Sequence, residues 1–151
     1  MALKPDRIEL PTGSRIKYFM NVVAEAGIIC NISSPGGAGM DNPAATLFIP
    51  TGPSGHPAGM LMNDVVNLDL TRQHLNQHKD EVQIGNKVAI MKNGYAETNM
   101  LKGGDTPNAG DACYYTTLGV VTSSVTSSNR IGTFAGPVDS DGYIGVELNI
   151  T

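Results

Sequence analysis

A chain of 151 residues can bury ~70% of the surface that its unfolded form exposes, so one packed core needs no metal or disulfide staple. Aromatics make up 5% with no Trp and charged residues 16%, while 18 Gly and 9 Pro punctuate short runs of Val, Ile and Thr, a profile of strands and tight turns rather than helices. The net charge is −4 and the 10 Lys and Arg are scattered, which excludes the basic footprint needed to neutralise nucleic-acid phosphates.

The first fourteen residues carry Lys4, Pro5, Asp6, Arg7, Glu9 and Pro11, with the alternation Ile8-Glu9-Leu10. These charges break up any apolar stretch of the kind a signal peptide needs, and no run approaches the ~18 apolar residues of a membrane span. The segment reads as an extended arm, residues 1–14, preceding a single β domain, residues 15–151. Such an arm can add to the sheet edge of a neighbour, and we expect it to order only on docking.

Arg15 to Ile32 is strand-like: Ile16, Tyr18 and Met20 alternate, and Gly27-Ile28-Ile29-Cys30-Asn31-Ile32 follows as an apolar run, so two mutually paired strands are expected. Ser33 to Ala45 and Pro50 to Gly59 are long Gly/Pro loops flanking a short strand, Thr46 to Ile49. Loops of this length are candidate contact surfaces. Val66, Leu68 and Leu70 alternate with Asn67 and Asp69 as a half-buried strand, whereas Thr71 to Glu81 is polar and has one clear apolar anchor, Leu75.

Lys87 to Met91, the dipeptide Asn93-Gly94 and Tyr95 to Thr98 predict a β-hairpin. Gly85 and Gly94 recur as Gly110 and Gly119 at one displacement, around the second strand-like run Ala112 to Tyr115, so two hairpins of one design are expected. Arg130 to Phe134 and an Asp139-Ser140-Asp141-Gly142 turn lead to a closing strand in which Ile144, Val146, Leu148 and Ile150 alternate. The predicted fold is all-β: a small antiparallel β-barrel or sandwich with long Gly/Pro loops and an extended N-terminal arm.

Motifs that carry chemistry are sparse. His74 and His78 have a helical metal-ligand spacing, but no Glu follows the first His and no cysteine is near, so a solvated structural pair explains them better. The carboxylates of Asp139 to Gly142 alternate as in a calcium loop, yet the glycine comes too early, and an Asp-Gly turn accounts for them. The Gly-rich stretches lack a following Gly-Lys-Ser/Thr, and no Gly-x-Ser-x-Gly elbow is present. Asp69, Asp80, Glu81 and Glu97 are the carboxylates that a small hydrolase would have to use, and none has a special setting. Cys30 and Cys113 lie far apart in apolar runs, which favours buried free thiols over a disulfide. The chain is expected not to be an enzyme, and to take no cofactor or metal.

Asn63-Asp64-Val65-Val66-Asn67-Leu68-Asp69-Leu70-Thr71-Arg72-Gln73-His74, then His78-Lys79-Asp80-Glu81 and Gly85-Asn86-Lys87-Val88, resemble tailed-phage capsid proteins of the cement, or decoration, type. Gly110-Asp111, Arg130-Ile131-Gly132-Thr133-Phe134 and Asp141-Gly142-Tyr143 are similar to the C-terminal part of the same family; the resemblance spans a little over half the chain. It implies a structural virion protein, made in the bacterial cytoplasm, that binds the outer surface of the assembled capsid and braces its major capsid protein subunits. A homo-dimer or homo-trimer touching several subunits at once makes a seam open only when many contacts break together. Neither nucleic acid nor membrane is an expected partner. Candidate capsid or subunit contacts are Ile8 and Leu10 in the arm, Phe48 beside the first long loop, and Met60 and Met62 after the second, all of which a core role also explains. The alternative is a receptor- or glycan-binding β module of a phage head or tail fibre.

Overall fold

The computed structural model describes residues 2–4, 9–12, 18–20, 22–32, 46–48, 56–67, 81–125 and 129–150, with 9–12 and 46–48 described by their backbone pairing. Among these residues there is no helix. In chain order the strands are β1 (Glu9–Thr12), β2 (Tyr18–Met20), β3 (Ile29–Ile32), β4 (Thr46–Phe48), β5 (Pro57–Leu61), β6 (Asp64–Val66), β7 (Glu81–Gln83), β8 (Lys87–Val88), β9 (Ile90–Met91), β10 (Asn93–Thr98), β11 (Ala112–Tyr115), β12 (Val121–Thr122), β13 (Gly132–Phe134) and β14 (Ile144–Asn149). The protein is all-β, as its composition predicts.

The first sheet has the order β1-β10-β14-β13-β11-β12, and every pairing in it is antiparallel. Its centre is the β10–β14 ladder, which runs from Asn93↔Asn149 to Thr98↔Ile144. On β14, Ile144, Val146 and Leu148 are buried while Glu147 and Asn149 are exposed, because successive side chains leave a strand on opposite faces.

The second sheet has the order β8-β2-β4-β3-β5-β9. Its two terminal strands are halves of one segment, residues 87–91, interrupted only at Ala89. The first half pairs with β2 and the second with β5, so the sheet closes on itself as a small barrel. Closure removes the exposed edges that invite association with other chains. Ala89 breaks the ladder, and its N–H donates instead to Asn63 Oδ1 at 2.9 Å while its carbonyl accepts from Met62 N at 3.0 Å.

Two apolar clusters follow from this layering. Tyr18, Met20, Cys30, Ala58, Leu61, Val88 and Ile90 pack together from the strands of the barrel, joined by Ala24, Ile28 and Val65. Ile29, Met60 and Met91 are register neighbours across β3, β5 and β9, and they belong to the other cluster, with Ala96, Cys113, Tyr115, Phe134, Ile144, Val146 and Leu148 of the first sheet. Alternation along β3 and β9 therefore directs one set of residues into the barrel and the other set against the sheet. Burying each large side chain of this kind contributes about 1.5–3 kcal/mol. Gly59 allows the crossing of β5 and β9: its φ is +147°, and a Cβ there would meet the Met91 carbonyl and Ile90 Cγ2.

Four expectations need correction. No hairpin forms at Asn93-Gly94: β9 pairs with β5, β10 pairs with β1 and β14, and Gly94 stands within β10 opposite Leu148. The local turn signal is overridden because the two runs serve different sheets, with Lys92 as the passage between them. The strands within 15–32 do not pair with each other, since β4 lies between β2 and β3. The β2–β4 and β6–β7 pairings are parallel, so the architecture is not purely antiparallel. Finally, the described part of the arm pairs with its own chain: β1 adds to β10, Leu3 bridges Thr98, and Ala2 and Leu3 are buried. The open edge of β10 within the same chain supplies the partner that the arm was expected to find on a neighbour.

The second hairpin and the closing turn form as the sequence predicts. Tyr115 pairs with Val121, and Gly119, at φ +79°, donates its N–H to the Thr116 carbonyl at 3.0 Å. Asp139 Oδ1 accepts from the N–H groups of Asp141 at 2.9 Å and Tyr143 at 2.8 Å, an aspartate holding its own turn.

Candidate functional site

The outward face of the β10–β14–β13 ladder carries two polar constellations, one at each end. Odd-numbered positions of β10 and β14 share this face by register: Asn93 with Asn149, Tyr95 with Glu147, and Glu97 with Gly145, while Thr133 of β13 lies opposite Glu147. Gly145 makes room for the neighbouring aromatic ring, since a Cβ there would stand 2.9 Å from Tyr95 Cε2. Tyr95 in turn donates its hydroxyl to Glu97 Oε1 at 3.0 Å.

At the Thr98–Ile144 end, Lys4 Nζ lies 2.8 Å from Asp139 Oδ2, 3.5 Å from Glu97 Oε2 and 3.8 Å from Asp141 Oδ2, and it sits 4.4 Å from the centroid of the Tyr143 ring. The hydrogen bond to Asp139 raises the Lys4 pKa above its ordinary value, with the charges of Asp139, Glu97 and Asp141 adding to it and partial desolvation opposing it. The same hydrogen bond, then the Tyr143 N–H, lowers the Asp139 pKa. One ammonium thus clasps the N-terminal segment to the closing turn. The Asp139 and Asp141 carboxylates face solvent, so their pairs with Lys4 position this segment more than they stabilise the fold.

The raised lysine favours the clasp at all pH values below its ordinary 10.5 and ceases to do so as pH rises through the folded value. The lowered aspartate favours it above its ordinary 3.8 and ceases to do so as pH falls through the folded value. Hydrogen exchange reads this out at the Lys4 amide, which donates to the Glu97 carbonyl, and at the Asn99 amide, which donates to the Ala2 carbonyl. Lys4→Met is expected to speed exchange at both without affecting the β13–β14 amides. Unchanged rates would show that the burial of Ala2 and Leu3 holds the segment alone.

At the Asn93–Asn149 end a groove of about 550 Å³ is lined by Asn93, Arg130, Gly132, Thr133, Glu147, Leu148 and Asn149. Arg130 Nε donates to the Gly132 carbonyl at 3.1 Å, which pins the guanidinium to β13. Asn93 Oδ1 is buried and accepts no hydrogen bond among the described residues.

The remaining acidic side chains with hydrogen bonds of known geometry hold turns. Asp64 accepts from Ala26 N at 2.7 Å, Asp111 from Asn108 N at 2.8 Å, and Asp105 from Ser123 N at 3.0 Å and from the Thr122 hydroxyl. No group of three or more His, Cys, Asp or Glu suited to a metal occurs among the described residues. Of the carboxylates a hydrolase would use, Glu81 stands in β7 opposite Asp64 and Glu97 belongs to the clasp, in different sheets; Asp69 and Asp80, like His74 and His78, lie outside the described residues.

Of the candidate contacts, Ile8 lies outside the described residues. Leu10 is in β1 and Phe48 is in β4 opposite Asn31. Met60 is wholly buried between barrel and sheet, and Met62 packs against the same cluster while half-buried. Met60 and Met62, the two of these whose side chains are described, belong to one cluster. The sequence reading missed the clasp and the groove. Alternation on β14 pointed Glu147 and Asn149 outward, but nothing local named β10 and β13 as the flanking strands.

Both cysteines are free and buried, and burial pushes each thiol up to about 12. Neither is a nucleophile at neutral pH. A thiol reagent such as Ellman's is expected to leave both unmodified in the native protein at pH 8 and to modify both in denaturant. Rapid native labelling would place a thiol at the surface.

No helix of the described residues is long and apolar enough to cross a membrane. Compared with known protein families and with curated proteins, the chain matches no family model and no curated relative.

Proposed function

We propose that this chain is a structural protein of a tailed-phage particle, a cement protein that binds the outside of the assembled capsid and braces the major capsid protein subunits. The observation that carries this reading is the use of the acidic side chains. Asp64, Asp105, Asp111 and Asp139 each accept backbone N–H groups at turns, and Glu97 joins Lys4 and Tyr95 in tying down a chain end. Groups that an enzyme would converge on a substrate serve here to fix loops on a closed β scaffold. The resemblance of residues 63–150 to the cement family supports the same conclusion. A scaffold with a self-closed sheet suits the role, because it presents loops to a shell without offering a long open edge. Function as a homo-dimer or homo-trimer belongs to this reading, since a brace gains strength from engaging several subunits together.

The test is co-sedimentation of the purified protein with expanded capsids that lack it, with the bound copies counted per major capsid subunit. Saturable binding at a fixed ratio is the expected result, and that ratio identifies the symmetry site. A folded protein that stays in the supernatant would overturn the proposal.

A further inference from the structure

The groove at the Asn93–Asn149 end has a composition that selects among ligands. Its charges are one Arg130 and one Glu147, so it has no net attraction for a phosphate or a cation. Leu148 is its one apolar lining residue and is itself buried, so the apolar part of the lining comes mainly from the stems of polar side chains and from backbone. Both edges of β10, β14 and β13 are already paired, which leaves no open ladder for an extended peptide to join. What remains is a set of polar hydrogen-bonding groups. Two carboxamides, a guanidinium, a carboxylate and the Thr133 hydroxyl together present donors and acceptors in one concavity.

We propose that this groove binds a neutral saccharide. Each sugar hydroxyl both donates and accepts, so it is the ligand group that a charge-balanced lining of amides, guanidinium and carboxylate can satisfy throughout. The volume of about 550 Å³ falls within the range of small-molecule sites, roughly 300–1,000 Å³, and suits one or two sugar rings. Asn93 Oδ1 is a buried acceptor with no donor among the described residues, on a side chain that lines the groove, so a rotation of that carboxamide would bring it to a sugar hydroxyl. Arg130 is held ready by its Nε bond to the Gly132 carbonyl, so less side-chain freedom is lost when a ligand docks. This site is independent of the capsid proposal: a brace that binds shells and no sugar would leave that reading intact, and the converse also holds.

The experiment is an amide-resolved NMR titration of the full ¹⁵N-labelled chain with maltotriose, cellotriose and chitotriose, each taken to about 10 mM, ten times a Kd of about 1 mM. Inorganic phosphate and trialanine are run as the competing chemistries. Saturable shifts confined to residues around Asn93, Thr133 and Asn149 are expected with at least one trisaccharide, and the Asn93 side-chain amide should move with them. Glu147→Gln and Arg130→Ala replace exposed side chains, and each should weaken binding at least tenfold while the rest of the spectrum stays in place. Absence of such shifts with all three sugars, equal binding by the two variants, or the same shifts from phosphate or trialanine would overturn the proposal.

Discussion

Gly59→Ala is expected to lower the unfolding free energy by about 2–6 kcal/mol, the sum of two independent penalties. A φ of +147° is a conformation that residues with a Cβ rarely adopt, and holding one there costs about 1–3 kcal/mol. The new methyl group would also press on the Met91 carbonyl and Ile90 Cγ2, and overpacking of this kind costs about 1–3 kcal/mol. One of the obstructing atoms is backbone of β9, so relief requires β5 and β9 to separate, and that pairing closes the barrel. Against a total stability of about 5–15 kcal/mol, the loss removes a substantial part of the margin that keeps the chain folded. The control is Gly104→Ala: its φ is also positive, at +87°, but no atom lies within 4 Å of the added Cβ, so only the conformational penalty applies. Urea unfolding of both variants separates the two contributions. A Gly59→Ala midpoint equal to that of Gly104→Ala would mean that the barrel does not close through this contact.

The contrast between β14 and Asn93-Gly94 shows what the sequence could and could not reveal. Ile144, Val146 and Leu148 alternate because one face of that strand meets the core and the other meets water, and this contrast is written in consecutive residues. The turn of Asp139 to Gly142 is similarly local, with donors and acceptor within five residues. Asn93-Gly94 carries an equally local signal, yet the chain there crosses from the barrel into the sheet, and pairing with Leu148 and Asn149 outweighs it. Strand order is fixed by contacts between distant segments, so the parallel insertion of β4 between β2 and β3 left no local trace. The groove and the clasp belong to the same class: Arg130, Asn93 and Asn149, or Lys4, Glu97 and Asp139, are distant in sequence and meet only once the first sheet has formed. The glycine recurrence was half informative. Gly85 and Gly110 share one positive φ before a strand, at +86° and +88°, but Gly94 lies in a strand and Gly119 in a turn.

Met60 separates a core role from a contact role. It is wholly buried, paired in register with Ile29 on one side and Met91 on the other, at the junction where the barrel meets the first sheet. Met60→Ala is expected to cost about 2–5 kcal/mol, from lost burial and from the cavity that two closed layers cannot collapse to fill. At about 2–4 °C per kcal/mol for a chain of this size, the melting temperature should fall by roughly 4–20 °C. Met60→Leu, which nearly conserves volume, should cost less than about 1.5 kcal/mol, so the effect should track cavity size and not the loss of the thioether. Met62 touches the same cluster but is half-buried, and Met62→Ala should fall well below Met60→Ala. The decisive comparison is capsid co-sedimentation of Met60→Ala at a temperature where it remains folded. A residue that acts from within the core should leave the bound ratio at saturation unchanged. A drop in that ratio with little change in melting temperature would instead place Met60 at the capsid interface, and would require β5 to separate from the first sheet on docking.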